Sequence, residues 1–215
     1  MFTVQFWVSC GIIAVISYLL GSLNTAIILS KTVEKDDVRK HGSGNAGMTN
    51  ILRTYGKKHA VITACGDLLK AVVAVLIARV IFRYSGYIES YAGYVAGLFV
   101  MLGHLFPLYF GFKGGKGVVT MLGVIMMVNP IVFLILCAVF IPLVFITRIV
   151  SIGSILGAIA YPILTLVVRM IQGRPVIFET SCALITCFVL LFVHRGNIKR
   201  LLNGTENRFG GKPKK

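Results

Sequence analysis

The two longest stretches of this 215-residue chain without a charged side chain are residues 1–30 and residues 117–147. A hydrophobic run of about 20 residues already spans the roughly 30 Å hydrocarbon core of a bilayer, so both stretches read as membrane-spanning helix. The whole composition agrees. Only 13% of the residues are charged, about half of the roughly 25% usual in a soluble domain, while 57% are hydrophobic. That leaves too little polar surface for a water-soluble fold and far too much apolar side chain for a disordered one. The chain is expected to be an integral membrane protein.

The first apolar run covers about residues 4–29. No basic residue precedes it, so it lacks a cleavable signal pattern and is expected to remain as a helix. A basic polar loop follows at 31–58, then apolar runs at about 60–78 (containing Asp67 and Lys70), 90–112, 149–168 and 176–193. As one helix, 117–147 would extend about 46 Å, and Asn129-Pro130 within it is a turn signal, so two shorter helices are the alternative. Loop charge decides between them, because cytoplasmic loops are enriched in Lys and Arg. Seven such residues lie in 31–58 and seven in the tail after residue 193. Two each lie at 79–83, 113–116 and 169–174, and Arg148 stands alone. Seven spans with the N-terminus outside put seventeen inside against four outside, whereas six give a near-even division. The expected fold is therefore all-α, a polytopic bundle of seven transmembrane helices with a cytoplasmic C-terminus. One membrane-integral domain is expected over 1–206, and a basic flexible tail over 207–215.

The net charge of +15 would suggest nucleic acid in a soluble protein, but here the bases sit between apolar runs, where they meet anionic headgroups; membrane lipids are expected partners and nucleic acid is not. The five cysteines lie in or beside apolar runs and read as small hydrophobes. None of the four histidines belongs to a metal-ligand set, so neither metal nor cofactor is expected.

Three polar segments fall on the cytoplasmic face of this topology. The first is Gly42-Ser43-Gly44-Asn45-Ala46-Gly47-Met48-Thr49-Asn50, with Arg53 one turn beyond. Its glycines let backbone N–H groups turn toward one point, its side chains add neutral donors, and Arg53 supplies a fork for phosphate. In the second, His104 is followed by Lys113-Gly114-Gly115-Lys116-Gly117 at the start of a helix, where N–H groups and ammonium favour an anion. It lacks the spacing of a nucleotide-hydrolysing phosphate loop. The third is His194-Arg195-Gly196-Asn197, followed by Glu206; on a helix, His194 and Asn197 share a face. Ser151 stands beyond Arg148, where a serine commonly caps a helix. Asp67 and Lys70, also i and i+3, are costly in an apolar run unless they pair or face the bundle interior. Basic glycine-rich pockets on one face fit the handling of a phosphorylated, amphiphilic compound, by an enzyme or by a permease. A permease favours a site near the midplane built from broken helices, and only Asp67 and Lys70 lie there.

The segments GSGNAGMTNILR, GHLFPLYFGFKGGKGVVT and HRGNIKRLLNGTE closely resemble the three signature regions of the bacterial acyl-phosphate:glycerol-3-phosphate acyltransferases, and the likeness runs from about Gly21 to Glu206. Two positions depart from the family pattern: Ala71 replaces a glycine after Lys70, and Arg208 replaces a lysine. The resemblance implies transfer of a fatty acyl group from acyl phosphate to glycerol 3-phosphate, giving lysophosphatidic acid and phosphate, the first acylation of phospholipid synthesis. It also implies a bacterial inner-membrane location, a site facing the cytoplasm, and acyl phosphate supplied by a soluble phosphate acyltransferase. By the same resemblance, Ser43, Arg53, Lys116, His194 and Asn197 carry the reaction. Asn24, Gly42, Gly44, Asn45, Gly47, Thr49, Asn50, His104, Lys113, Gly114, Gly115, Ser151 and Glu206 line the substrate site. Acyl phosphate is a mixed anhydride with a good leaving group, so positioning and electrostatics can supply most of the catalysis. The acceptor of the hydroxyl proton stays open among His194, His104 and an oxygen of the acyl phosphate.

Overall fold

A computed structural model describes residues 3–209, the side chain of Ser90 excepted; residues 210–215 of the expected flexible tail lie outside the described residues. No strand occurs among the described residues. The helices are α1 (Val4–Ser22), α2 (Thr25–Thr32), α3 (Met48–Tyr55), α4 (Lys57–Tyr84), α5 (Glu89–Leu105), α6 (Val118–Val128), α7 (Pro130–Thr147), α8 (Val150–Ile171), α9 (Ile177–Val193) and α10 (Arg195–Leu202). Five segments are long and apolar enough to cross a membrane: Val4–Thr32, Lys57–Tyr84, Tyr91–Phe110, Pro130–Thr147 and Val150–Ile171. A sixth results if α9 and α10, bent by 61° at His194, count together, while α6 has only 11 residues. The chain divides into two compact units, Met1–Val128 and Asn129–Lys215.

In the first unit, α1 packs along α5, and α4 packs against α1, α5 and α6. The α1–α5 crossing brings backbone to backbone. A Cβ at Gly21 would strike the Val100 carbonyl, and one at Gly103 would strike Tyr18 O and Ser22 N. The first apolar run is not one helix as its composition suggests. It breaks after Ser22, and the buried Asn24 restarts it by accepting the Ile27 N–H at 3.1 Å. The stretch 31–58, expected as a loop, is largely ordered: a single 3-10 turn (Val38–Lys40) and α3 fold with the preceding α2 around buried Ala26, Ile27, Val38, Ala46, Ile51 and Ala60. Tertiary burial, not an apolar run, makes these short helices stable.

In the second unit, α7 packs on α8, α8 on α9, and α10 follows α9. The 117–147 stretch does split at Asn129: its side chain accepts the Val132 N–H at 3.3 Å, and Pro130 occupies the first turn, where a missing N–H costs nothing. Arg148, left-handed at φ 59°, closes α7 before α8.

Candidate active site

The first glycine-rich loop is held from inside by one amide. Buried Asn50 accepts the Ser43 N–H through Oδ1 at 2.9 Å and donates through Nδ2 to the carbonyls of Val38 (3.1 Å) and His41 (3.0 Å). Gly42 sits at φ +55°, and a Cβ there would strike Asn50 Oδ1, so glycine alone fits. The same loop is tied to the second one: Ala46 N–H donates to the Gly114 carbonyl at 3.4 Å, and Asn24 Nδ2 donates to the Ala46 carbonyl at 3.3 Å. Gly114 and Gly115 fold back on α5, their N–H groups bonded to the carbonyls of Leu105 and His104, both at 3.1 Å. Around this frame Ser43, Gly44, Arg53 and Lys113 are exposed, and Asn45, Gly47, Thr49 and Lys116 are half-buried. Lys116 immediately precedes the first turn of α6, whose leading N–H groups have no intrahelical acceptor.

A second clamp joins the loops from the 3-10 turn. Arg39 forks onto Asp37 (Nη2 to Oδ2 2.7 Å, Nε to Oδ1 2.9 Å) while its Nη1 donates to the carbonyls of Phe110 (2.8 Å) and Lys113 (3.0 Å). The Arg39 bonds hold the Asp37 carboxyl down to about 2, and the Arg39 guanidinium is raised in turn. Asp36 is also lowered, first by the Asp37 backbone N–H and then by its contact with His41. Partial burial, followed by its bond to Asp36 at 3.1 Å, pushes the Tyr55 phenol up.

Beneath the loops lies a fully buried polar cluster. Lys70 Nζ reaches Asp67 Oδ1 at 2.9 Å, His104 Nδ1 at 2.8 Å, and the carbonyls of Gly21 (3.1 Å) and Leu23 (3.2 Å) at the end of α1. Thr25 Oγ1 donates to Asp67 Oδ1 at 3.2 Å. The other edge of the His104 ring abuts Gly115, where any Cβ would strike Nε2.

In the second unit, His194 is buried at the α9–α10 bend with Nδ1 2.8 Å from the Leu190 carbonyl. A carbonyl only accepts, so the hydrogen is assigned to Nδ1 and the lone pair to Nε2. Asn197 Nδ2 donates to Glu206 Oε1, and Arg200 Nε to Oε2, both at 2.9 Å. Ser151 is buried near the start of α8, and its Oγ has no partner among the described residues.

A family model described as glycerol-3-phosphate acyltransferase matches residues 11–204. The chain belongs to the glycerol-3-phosphate acyltransferase family. A relative of that name from Clostridioides difficile (strain 630) is 46% identical over 201 residues, covering 94% of this chain and 96% of that protein. The crystal structure of PlsY (YgiH), an integral membrane glycerol 3-phosphate acyltransferase, superposes in its glycerol 3-phosphate form with a TM-score of 0.82 at 37% identity. The match covers 94% of this chain and 96% of that one. The form of the same enzyme with lysophosphatidic acid superposes with a TM-score of 0.79 at the same identity and coverage. This chain is accordingly a helical membrane protein and an acyltransferase.

Within this family member, the sequence candidates of the first unit separate into two groups. Ser43, Lys113 and Lys116 lie in the joined loops themselves, and Thr49 and Arg53 on α3, which follows the first loop. Asn24, Asn50 and His104, expected to touch substrate, have their polar atoms engaged in the scaffold. Glu206 likewise is bonded to Asn197 and Arg200. Arg39 and Asp37 were not candidates: in the sequence Arg39 counts only as one more basic loop residue, and its carbonyl partners lie over 70 positions away.

Proposed function

We propose that this protein moves a fatty acyl group from acyl phosphate to glycerol 3-phosphate. The acceptor hydroxyl oxygen attacks the acyl carbonyl carbon, the bond to the phosphate oxygen breaks, and lysophosphatidic acid and inorganic phosphate leave. The observation that carries this reading is the backbone tie from Ala46 to Gly114, which joins the two glycine-rich loops and so brings together the polar and basic side chains they carry. The Ser43 hydroxyl receives the phosphoryl group of the donor, and Arg53 and Lys116 hold the phosphate of the acceptor. His194, with its lone pair on Nε2, takes the hydroxyl proton; His104 is less suited, because its Nδ1 faces Lys70. The donor is an activated anhydride, so neither metal nor cofactor is required.

Purified protein in lipid, given glycerol 3-phosphate and palmitoyl phosphate, is expected to form lysophosphatidic acid, and none with palmitoyl-CoA instead. Product from the CoA ester alone would refute the donor. His194→Ala is expected to lose turnover by about 10²–10⁴-fold. Near-normal turnover with an unchanged pH profile would assign the proton to the donor's own phosphate oxygen.

The same reading includes seven spans in a bacterial inner membrane, with α6 and α7 separate and the N-terminus outside. It also includes one functional domain over 1–206 with a basic tail at 207–215, a site open to the cytoplasm, and a soluble phosphate acyltransferase as the source of donor. The break at Asn129 and the loop charges support it. In a variant without native cysteines, Lys35→Cys and Asn203→Cys are expected to label only from the cytoplasmic side, and Ser85→Cys and Gln172→Cys only from the other. Any crossed result rejects the topology.

A further inference from the structure

The buried cluster of Asp67, Lys70 and His104 has an arrangement that ion pairing alone does not require. An ammonium carries three N–H donors and no acceptor. Two of those of Lys70 go to Gly21 O and Leu23 O, carbonyls at the end of α1 that lack helical partners. The third is shared by Asp67 Oδ1 and His104 Nδ1. His104 Nδ1 lies 2.8 Å from the Lys70 ammonium, which only donates, and 3.5 Å from Asp67 Oδ1, at the outer edge of hydrogen-bond reach, so Nδ1 is assigned as the acceptor and the ring hydrogen to Nε2. That Nε2 lies where the two loops meet: a Cβ on Gly115 would strike both it and the Ala46 carbonyl.

We propose that Lys70 is a positioning residue for the acyl transfer: it fixes His104 as the Nε2–H form and anchors the end of α1, so that a constant N–H braces the junction of the two glycine-rich loops at the spacing the donor phosphate needs. Asp67 balances the ammonium in the apolar surroundings and orients it, and Thr25 orients Asp67. His104 then supports the loops instead of accepting a proton. This assignment rests on the reading of those loops as the acyl phosphate site.

Replacing Asp67 and Lys70 together avoids stranding a single buried charge. Asp67→Asn/Lys70→Met is expected to raise KM for acyl phosphate about tenfold, the scale of one charge-assisted hydrogen bond, and to leave KM for glycerol 3-phosphate unchanged. Gln can place an amide N–H where Nε2–H lies, whereas Asn reaches only the Nδ1 position. His104→Gln is therefore expected to keep most activity, and His104→Asn to behave like the double variant. Imidazole ¹⁵N spectra of histidine-labelled protein, assigned with His104→Gln, are expected to show the hydrogen on Nε2 of His104 in the unmodified chain and a mixed population in the double variant. A hydrogen on Nδ1 in the unmodified chain overturns the proposal. So does an equal change in both KM values, no change in either, or an Asn variant as active as the Gln one. The spectrum requires no turnover, so it decides this inference even if the protein forms no lysophosphatidic acid from any donor.

Discussion

Each unit buries one ion pair in apolar helix, and the two pairs are connected differently. Arg169, in the last turn of α8, meets Glu179 in the first turn of α9 and donates to Gln172 at 2.8 Å, two contacts that span 10 and 3 residues. Asp67 and Lys70 lie on one helix, and Lys70 reaches out to residues 49, 47 and 34 positions away. Both pairs carry the same penalty for placing charge in a low-dielectric interior. The Arg169 pair bridges the end of α8 and the start of α9, whereas the Lys70 pair connects the end of α1, the end of α5 and the loops that carry the candidate site. Burial of a charged pair is therefore no guide to its role; the sequence distance and identity of the further partners are.

The sharpest way to break this contrast is Glu179→Ala, which leaves Arg169 buried without its carboxylate. It is expected to destabilise the fold by about 3–5 kcal/mol, read as a lower thermal midpoint in detergent, and Arg169→Leu/Glu179→Leu should recover both midpoint and activity. Activity lost at an unchanged midpoint would put the second pair in the catalytic apparatus too. Glycines give the next test. Gly115→Ala meets His104 Nε2 and the Ala46 carbonyl and should lower activity about 10²-fold through a displaced loop, whereas at Gly157 the nearest atom is an ordinary 3.6 Å away and alanine should be tolerated. Asn50→Ala leaves the Ser43 N–H without its acceptor and takes one of the donors from each of the Val38 and His41 carbonyls. It is expected to weaken the loop by about 1–3 kcal/mol, seen as faster proteolysis within 38–50 while α8 and α9 stay protected.

The smallest effect is expected in acid. Asp37 is held at about 2 in the folded chain, below the ordinary carboxylate value of about 4. Its contribution is therefore complete above pH about 4 and lost as the pH falls toward 2. Proteolysis at 33–41 should rise across that window, and Asp37→Asn should remove the dependence by making the segment equally susceptible at neutral pH.

Helix content was legible wherever burial is in lipid, because an uncharged run declares itself. The Asn129-Pro130 break was legible too, since cap and proline are local signals. Helix α3 and the break before α2 were not: Val38 and Ile51 look scattered in a basic segment and become a core with Ile27 only when folded together. The loops of the candidate site were visible as glycine and donor clusters. The scaffold bonds of Asn24, Asn50 and His104 were not, because residue type reveals a hydrogen-bonding capacity and not which partner uses it. For Asn50 the partners lie 7 to 12 residues away, and for His104 the partner is 34 residues away.

The contact of Gly21 and Gly103 with opposing backbone makes the α1–α5 crossing a fulcrum. With no side chain between the helices, there is nothing there to repack and little room to slide. The crossing lies about 25 Å along the axis from the start of α1 and beside the elbow at Asn24. The long arm of α1 is not free to swing about it: Phe6 packs against Phe82 and Tyr87, and Ser9 Oγ meets Ser85 Oγ at 3.0 Å. The helix is thereby held at both ends, so a bilayer that thickens or thins meets a fixed strut, and the loops beyond the elbow keep their geometry.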